Sequence, residues 1–279
     1  MKTQLLLESE IDKWERNDAG FKRVPAVDKC FAILDLITAS RQPLGVSEIS
    51  KRLCLNKSTV FNIVRTLAAL EVLEHGPNSK LGVGTRLYVL GQAAGSKAEL
   101  VRTVRPYLKT ISLESMLSAF LVMRWGMYAV IVDKVEASNY VKVSYEIGTR
   151  LPLLVGATGK ALLCQLSDAD LDNILSENEP LRLIPHARKD RVSLRNAVKS
   201  VREDGFAADM GEHIDGVITL AVPINTHRAD LQAAISAVGF KWQSKDGRMF
   251  SVSKLLKQIA NELDCRFTTA WKGVGINRL

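Results

Sequence analysis

Three short stretches of this sequence carry residue types that could do chemistry. Asp209, Glu212, His213 and Asp215 form its densest group of carboxylates with an imidazole, a set that could bind a divalent cation or share acid–base work. On an extended strand, however, Asp209 and His213 share one face while Glu212 takes the other, so the spacing reads as a polar cluster at a loop end. The stretch Gly156-Ala-Thr-Gly159-Lys160-Ala161 suggests a phosphate loop, yet only two residues separate its first glycine from the Gly-Lys pair, and Ala161 follows. That motif needs four intervening residues and then Ser or Thr, which excludes nucleoside triphosphate binding. Two readings remain: a tight structural turn, or a helix start whose free N–H groups hold a small anion such as a carboxylate.

The third stretch runs from Asn56 to Arg65. Lys57 can neutralise a phosphate, and Ser58 and Thr59 can donate to one. Asn62 suits adenine N6/N7, and Arg65 suits guanine or a phosphate. Phe61 either meets a thymine methyl or tucks against the first support helix, over 27–40, and packing is the favoured reading. Elsewhere there is little to work with. Cys30, Cys54, Cys164 and Cys265 are scattered without a C-x-x-C and sit in apolar company, as reduced core thiols do. His75, His186 and His227 are isolated. With no G-x-S-x-G and no recognisable acid and base pair, nucleophilic chemistry has no supported residue. A small-molecule hydrolase or transferase using the Asp209–Asp215 cluster is the enzyme alternative. No cofactor and no metal is expected.

These residues need elements to position them. Val46, Ile49, Ser50 and Leu53 lie on one face of a helix over 46–54, and Val60, Ile63, Val64, Leu67 and Leu70 on one face of a second over 56–70. A tight turn at Leu55–Asn56 joins them, with Asn56 as N-cap. A polar, basic N-terminal face on a helix with an apolar back is what major-groove reading requires. A support helix precedes them over 27–40. Strands near 72–75 and 81–84 flank the turn signal Gly76–Lys80, making a wing with Lys80 at its tip. Residues 1–23 read as a solvated, mobile arm. Helices over 86–113, weakened by Gly91 and Gly95, read as a linker. Beyond it come strands at 119–125, 128–135, 140–147, 207–213, 217–224 and 231–238, with helices over 160–166, 171–176, 192–203 and 251–263. Strands in hairpins with helices outside a strict alternation give an α+β domain with a mainly antiparallel sheet. The expected division is an arm (1–23), a winged helix-turn-helix (24–85), linker helices (86–113), an α+β domain (114–268) and a tail (269–279).

The chain has 279 residues, 47% of them hydrophobic, and a formal net charge of +8. That length is comfortable for two domains, and the positive balance favours a polyanionic partner, with nucleic acid the first candidate. Its apolar runs fall far short of the roughly 20 residues that span a bilayer, and acidic residues stand where a signal peptide would not have them. No membrane role and a cytoplasmic location are therefore expected.

The order and spacing of several motifs resemble the IclR-type family of bacterial transcriptional regulators. The carriers are Asn56-Lys-Ser-Thr59 within Val46–Leu70, Gly84-Thr-Arg-Leu-Tyr-Val-Leu-Gly91, Arg105-Pro-Tyr-Leu108, Asp133-Lys-Val-Glu136, Gly148-Thr-Arg-Leu-Pro-Leu153 leading to Thr158-Gly-Lys-Ala161, Gly205-Phe206, and Gly216-Val217 followed by Ala221-Val-Pro223. The resemblance implies a winged helix-turn-helix, a linker helix and a GAF/PAS-like effector domain on a curved antiparallel sheet. It implies a homodimer or homotetramer on a palindromic double-stranded DNA operator, sensing a small organic acid. DNA contacts are then expected from Ser47, Lys57, Ser58, Thr59, Asn62, Arg65 and Lys80. An effector pocket is expected around Leu154, Ala157, Thr158, Asp209, Thr219, Ser236 and Val238. Thr219, Val238 and Leu154 depart from the family's usual Cys or Ser, Ser and His. Those changes disfavour a tiny dianion and point to a bulkier, partly apolar or aromatic acid. Cys54 replaces the glycine common at the helix-turn-helix bend, and Gly239-Phe240 replaces a usual Gly-Pro.

Overall fold

A computed structural model describes residues 24–40, 42–76, 79–93, 95–177, 191–244 and 247–273. The expected N-terminal arm, His186, wing-tip residues 77–78 and residues 274–279 lie outside this set. The chain divides into two units, one ending at Ala98 and the other beginning at Glu99.

In the first unit, helices α1 (Pro25–Ala39), α2 (Val46–Arg52) and α3 (Lys57–Ala69) precede a two-stranded wing, β1 (Leu73–His75) and β2 (Leu81–Val83). The apolar stripes read from sequence meet in one core of Ile33, Ile37, Ile49, Val60, Val64 and Leu67, closed below by Leu73 and Leu81 of the wing. The bend between α2 and α3 is fastened by the Ser50 hydroxyl, which donates to the Leu55 carbonyl at 2.6 Å. Cys54 holds φ +52° there, so the left-handed geometry that favours glycine is kept with a side chain in place. Asn56 stands at the N-cap of α3 but makes no side-chain capping bond. Helix α4 (Thr85–Gln92) and helix α5 (Ser96–Ser115) follow. Gly95, at φ +36°, lies between them, and Pro106 falls inside α5.

The second unit is a six-stranded antiparallel sheet in the order β5-β4-β3-β8-β7-β6, curled into a half-barrel. Its strands are β3 (Ser118–Trp125), β4 (Tyr128–Val135), β5 (Arg150–Pro152), β6 (Ala207–Asp209), β7 (Val217–Ile224) and β8 (Ala233–Phe240). Successive side chains alternate between its faces. Leu121, Leu220, Val222, Ile235 and Ala237 face α5 and the long last helix α9 (Arg248–Gly273). Phe120, Val122, Ala221, Ala234 and Val238 face the other way, onto α6 (Gly156–Leu163), α7 (Asp168–Glu177) and α8 (Arg191–Asp204). Both faces are thus covered, and burying Phe120 fully contributes on the order of 1.5–3 kcal/mol.

Four expectations need correction. Residues 140–147 form no strand. Tyr140, Val141 and Ile147 are exposed, and ion pairs hold the segment in place of a ladder: Lys134 Nζ reaches Glu136 at 3.0 Å and Glu146 at 3.2 Å, and Lys142 reaches Glu136 at 2.8 Å. The strand expected over 207–213 ends at Asp209, because Asp209 Oδ1 accepts the N–H groups of Gly211 and Glu212 and Gly211 and Gly216 take positive φ. Helix α6 begins at Gly156, four residues before the expected 160, since the small residues there pack in the helical state; a Cβ on Gly159 would lie 1.9 Å from the Leu153 carbonyl oxygen. Finally, α9 reaches Gly273, past the expected start of the tail at 269.

Candidate DNA-reading face and effector pocket

On α3, Val60, Val64 and Leu67 are buried, while Lys57, Ser58, Phe61, Asn62, Arg65 and Thr66 are exposed along the opposite side. Helical spacing alone separates the two rows. Of the expected DNA contacts, Lys57, Ser58, Asn62 and Arg65 share this face, Thr59 lies half-buried at its edge, and Ser47 is exposed on α2. Lys80 Nζ sits 2.5 Å from the Glu48 carboxylate, which also accepts the Gly45 N–H. These contacts, Lys80 first, hold the Glu48 carboxyl below its usual range. They fasten the wing to the start of α2. Phe61 is 48% exposed.

In the second unit, strand register assembles the other site. Asp209 pairs with Thr219, and Thr219 with Val238, across β6, β7 and β8, so the three stand in one row beneath α6. The row and the N-terminus of α6 bound a small cavity, with about 40 Å3 of solvent-accessible space. The expected residues Ala157, Thr158, Asp209, Thr219 and Val238 line it. Leu154 instead packs into the core beside it. Ser236 is buried, its hydroxyl 2.8 Å from that of Thr158, and so supports the wall from behind. Tyr145, Leu151, His213, Ile214 and Val217 also line the cavity, and sequence reading did not name them as pocket residues.

The electrostatics are mixed. Val155 is the N-cap of α6 and supplies no side-chain bond; the first N–H groups of this helix lack intrahelical partners and sit at the positive end of its dipole, on residues that line the cavity. Asp209 is buried; its Oδ1 is used in the turn, while its Oδ2 would lie 3.1 Å from a Cβ placed on Gly156. Burial pushes the His213 imidazole below its ordinary pKa, with Asp209 pulling the other way. Tyr145 is raised, chiefly by burial and then by Asp209, and its ring meets Phe120 edge-on at 5.6 Å. Glu212 points away to Lys160, 3.1 Å distant. The 209–215 cluster is therefore split between a turn, an ion pair and a cavity wall. Among the described residues no group of three or more His, Cys, Asp or Glu is placed to hold a metal.

Of the cysteines expected in the core, Cys54 and Cys265 are exposed, and Cys30 and Cys164 half-buried. Burial raises the Cys164 thiol to about 11. No described helix is long and apolar enough to cross a membrane.

Comparison with known proteins agrees across the chain. Residues 26–77 match the family model of the IclR helix-turn-helix domain, and residues 92–265 that of the bacterial transcriptional regulator IclR C-terminal domain. The chain is 27% identical to the HTH-type transcriptional regulator XynR of Escherichia coli K12, over 84% of this chain and 94% of that protein. It is 27% identical to the HTH-type transcriptional repressor AllR of the same strain, over 87% and 90%. Among solved structures, an IclR homolog from Microbacterium hydrocarbonoxydans in complex with 4-hydroxybenzoate superposes with a TM-score of 0.72 at 21% identity, covering 88% of this chain and 99% of that one. The Thermotoga maritima IclR superposes at 0.70 with 22% identity, over 88% and 99%.

Proposed function

The chain belongs to the IclR family of bacterial transcriptional regulators, and we propose that its second unit senses a small, partly apolar organic acid of the aromatic class. As a family member it is a DNA-binding transcriptional regulator with a C-terminal effector-binding domain and no enzymatic role. The observation that carries the effector reading is the composition of the cavity. Leu151, Ile214, Val217 and Val238 give it apolar sides, and the opening residues of α6 line it beside Asp209 and His213. A carboxylate meets the N–H groups, a ring fills the apolar walls, and a hydroxyl on that ring donates to Asp209 Oδ2. The 4-hydroxybenzoate held by the Microbacterium relative has these features.

In this reading residues 24–85 bind a palindromic operator through Ser47, Lys57, Ser58, Thr59, Asn62 and Arg65, with Lys80 bracing the wing. Residues 86–113 link this part to an effector domain over 114–268 whose pocket centres on Ala157, Thr158, Asp209, Thr219 and Val238. The regulator acts as a homodimer or homotetramer in the cytoplasm, where the chromosome is. The effector shifts the population of arrangements of the α4–α5 connection and so changes operator affinity.

A thermal-shift screen of aromatic and aliphatic acids, followed by calorimetry, tests the ligand class. Stabilisation by hydroxylated aromatic acids is expected. Tight binding of glyoxylate or pyruvate, with none of aromatic acids, contradicts it.

A further inference from the structure

Phe61 and Arg65 stand one helical turn apart on the exposed side of α3, and the Arg65 guanidinium lies over the Phe61 ring, 5.7 Å from its centroid. The aromatic ring is half in solvent, although the buried side of the same helix is already filled by Val60, Val64 and Leu67. We infer that the pair is a composite reader of a 5′-TG-3′ step: the Phe61 ring meets the thymine methyl, while Arg65, extended across that ring, donates to O6 and N7 of the neighbouring guanine. This rests on the reading of α3 as the helix that enters the major groove.

The chemistry follows from the base edges. In the major groove thymine presents a methyl group that an apolar side chain can contact, and guanine presents two acceptors that match the arginine fork. Successive bases on a strand are about 3.4 Å apart, so two side chains that neighbour each other on one helix face can reach adjacent bases. Arginine's long stem is ordinarily free to rotate. A ring beneath the guanidinium restricts it before DNA arrives, which reduces the ordering that binding must oppose. Phe61 thereby acts twice, as a methyl contact and as a platform that positions Arg65. Asn62, beside it on the same face, is left to read a different base.

The test uses the full chain to recover duplexes from a randomised pool, then measures affinity for a recovered duplex carrying single-atom changes. The recovered half-sites should share a TG step. Replacing its thymine by uracil removes only the methyl and should weaken binding roughly fourfold. Replacing its guanine by 7-deazaguanine removes one acceptor and should weaken it at least about fivefold. Phe61→Ala should bind thymine and uracil duplexes equally, and Arg65→Ala should lose the guanine preference; both side chains are exposed, and an unchanged melting temperature verifies folding. Recovered sites without a TG step, equal affinity of the parent chain for thymine and uracil, or undiminished methyl discrimination by Phe61→Ala would each overturn the inference. Failure to bind any duplex would overturn the placement of α3 on DNA as well, whereas tight binding indifferent to the methyl overturns this inference alone.

Discussion

Cys54 occupies the bend between α2 and α3 at φ +52°, where a Cβ costs roughly 1–2 kcal/mol. Glycine there removes that strain but enlarges the unfolded ensemble by about 0.4–1 kcal/mol. Cys54→Gly should therefore leave the first unit unchanged or raise its stability by about 0.5 kcal/mol, read as a shift in denaturant midpoint. A clear loss would show that the thiol contributes more than the strain. His213 offers a second test at this scale. Its folded pKa is lowered by burial, so the stabilisation from its neutral form is fully present above its unfolded value, near 6.5, and is lost as pH falls below that. A carboxylate bound alongside would raise it again. Binding of an aromatic acid at about pH 6–7 should then take up protons, detectable as a dependence of the calorimetric heat on buffer ionisation. His213→Gln should abolish that dependence.

At the scale of the element, α6 and the segments facing it determine the pocket. Gly159 permits α6 to lie against the Leu153 carbonyl, where a Cβ would come within 1.9 Å. Gly159→Ala should destabilise the second unit by roughly 1–3 kcal/mol, as overpacking does, which thermal unfolding would register. Segment 140–147 depends on charge instead. Contacts with Lys142, Ser144 and Lys134 hold the Glu136 carboxyl at about 2, so this clip is fully in force above the ordinary carboxylate value, near 4.5, and is lost as pH falls from there toward about 2. Glu136→Gln should speed amide exchange across 140–147 at neutral pH while leaving β3 and β4 protected. The same elements show what could be read from sequence. The helical stripes of α2 and α3 and the period-two pattern of β7 and β8 specify burial directly, so the exposed face of α3 and the Thr219–Val238 row are legible. Tyr145 and His213 are not. Ionic side chains position the one, and a turn made by the Asp209 side chain redirects the other, and neither leaves a periodic trace. Gly211 and Gly216, both at positive φ, were the available signal that strand β6 ends early. The ion pair of Lys80 with Glu48, 32 residues away in sequence, leaves no periodic trace either.

The whole molecule carries a net charge of +8 and joins a DNA-reading unit to a sensing unit in one chain. Its charge predicts that operator affinity falls steeply with salt, with one counterion released for each phosphate neutralised. Lys57→Ala should flatten that slope by about one unit while weakening binding to all sequences alike. The central claim, however, is that occupancy of the cavity governs DNA affinity. It is tested most directly by titrating a fluorescent operator duplex with the full chain, with and without a saturating aromatic acid that thermal shift has shown to bind. We predict a change in operator affinity of at least about fivefold, the lower bound of ordinary allosteric coupling. Identical affinities with the acid bound and absent would contradict it.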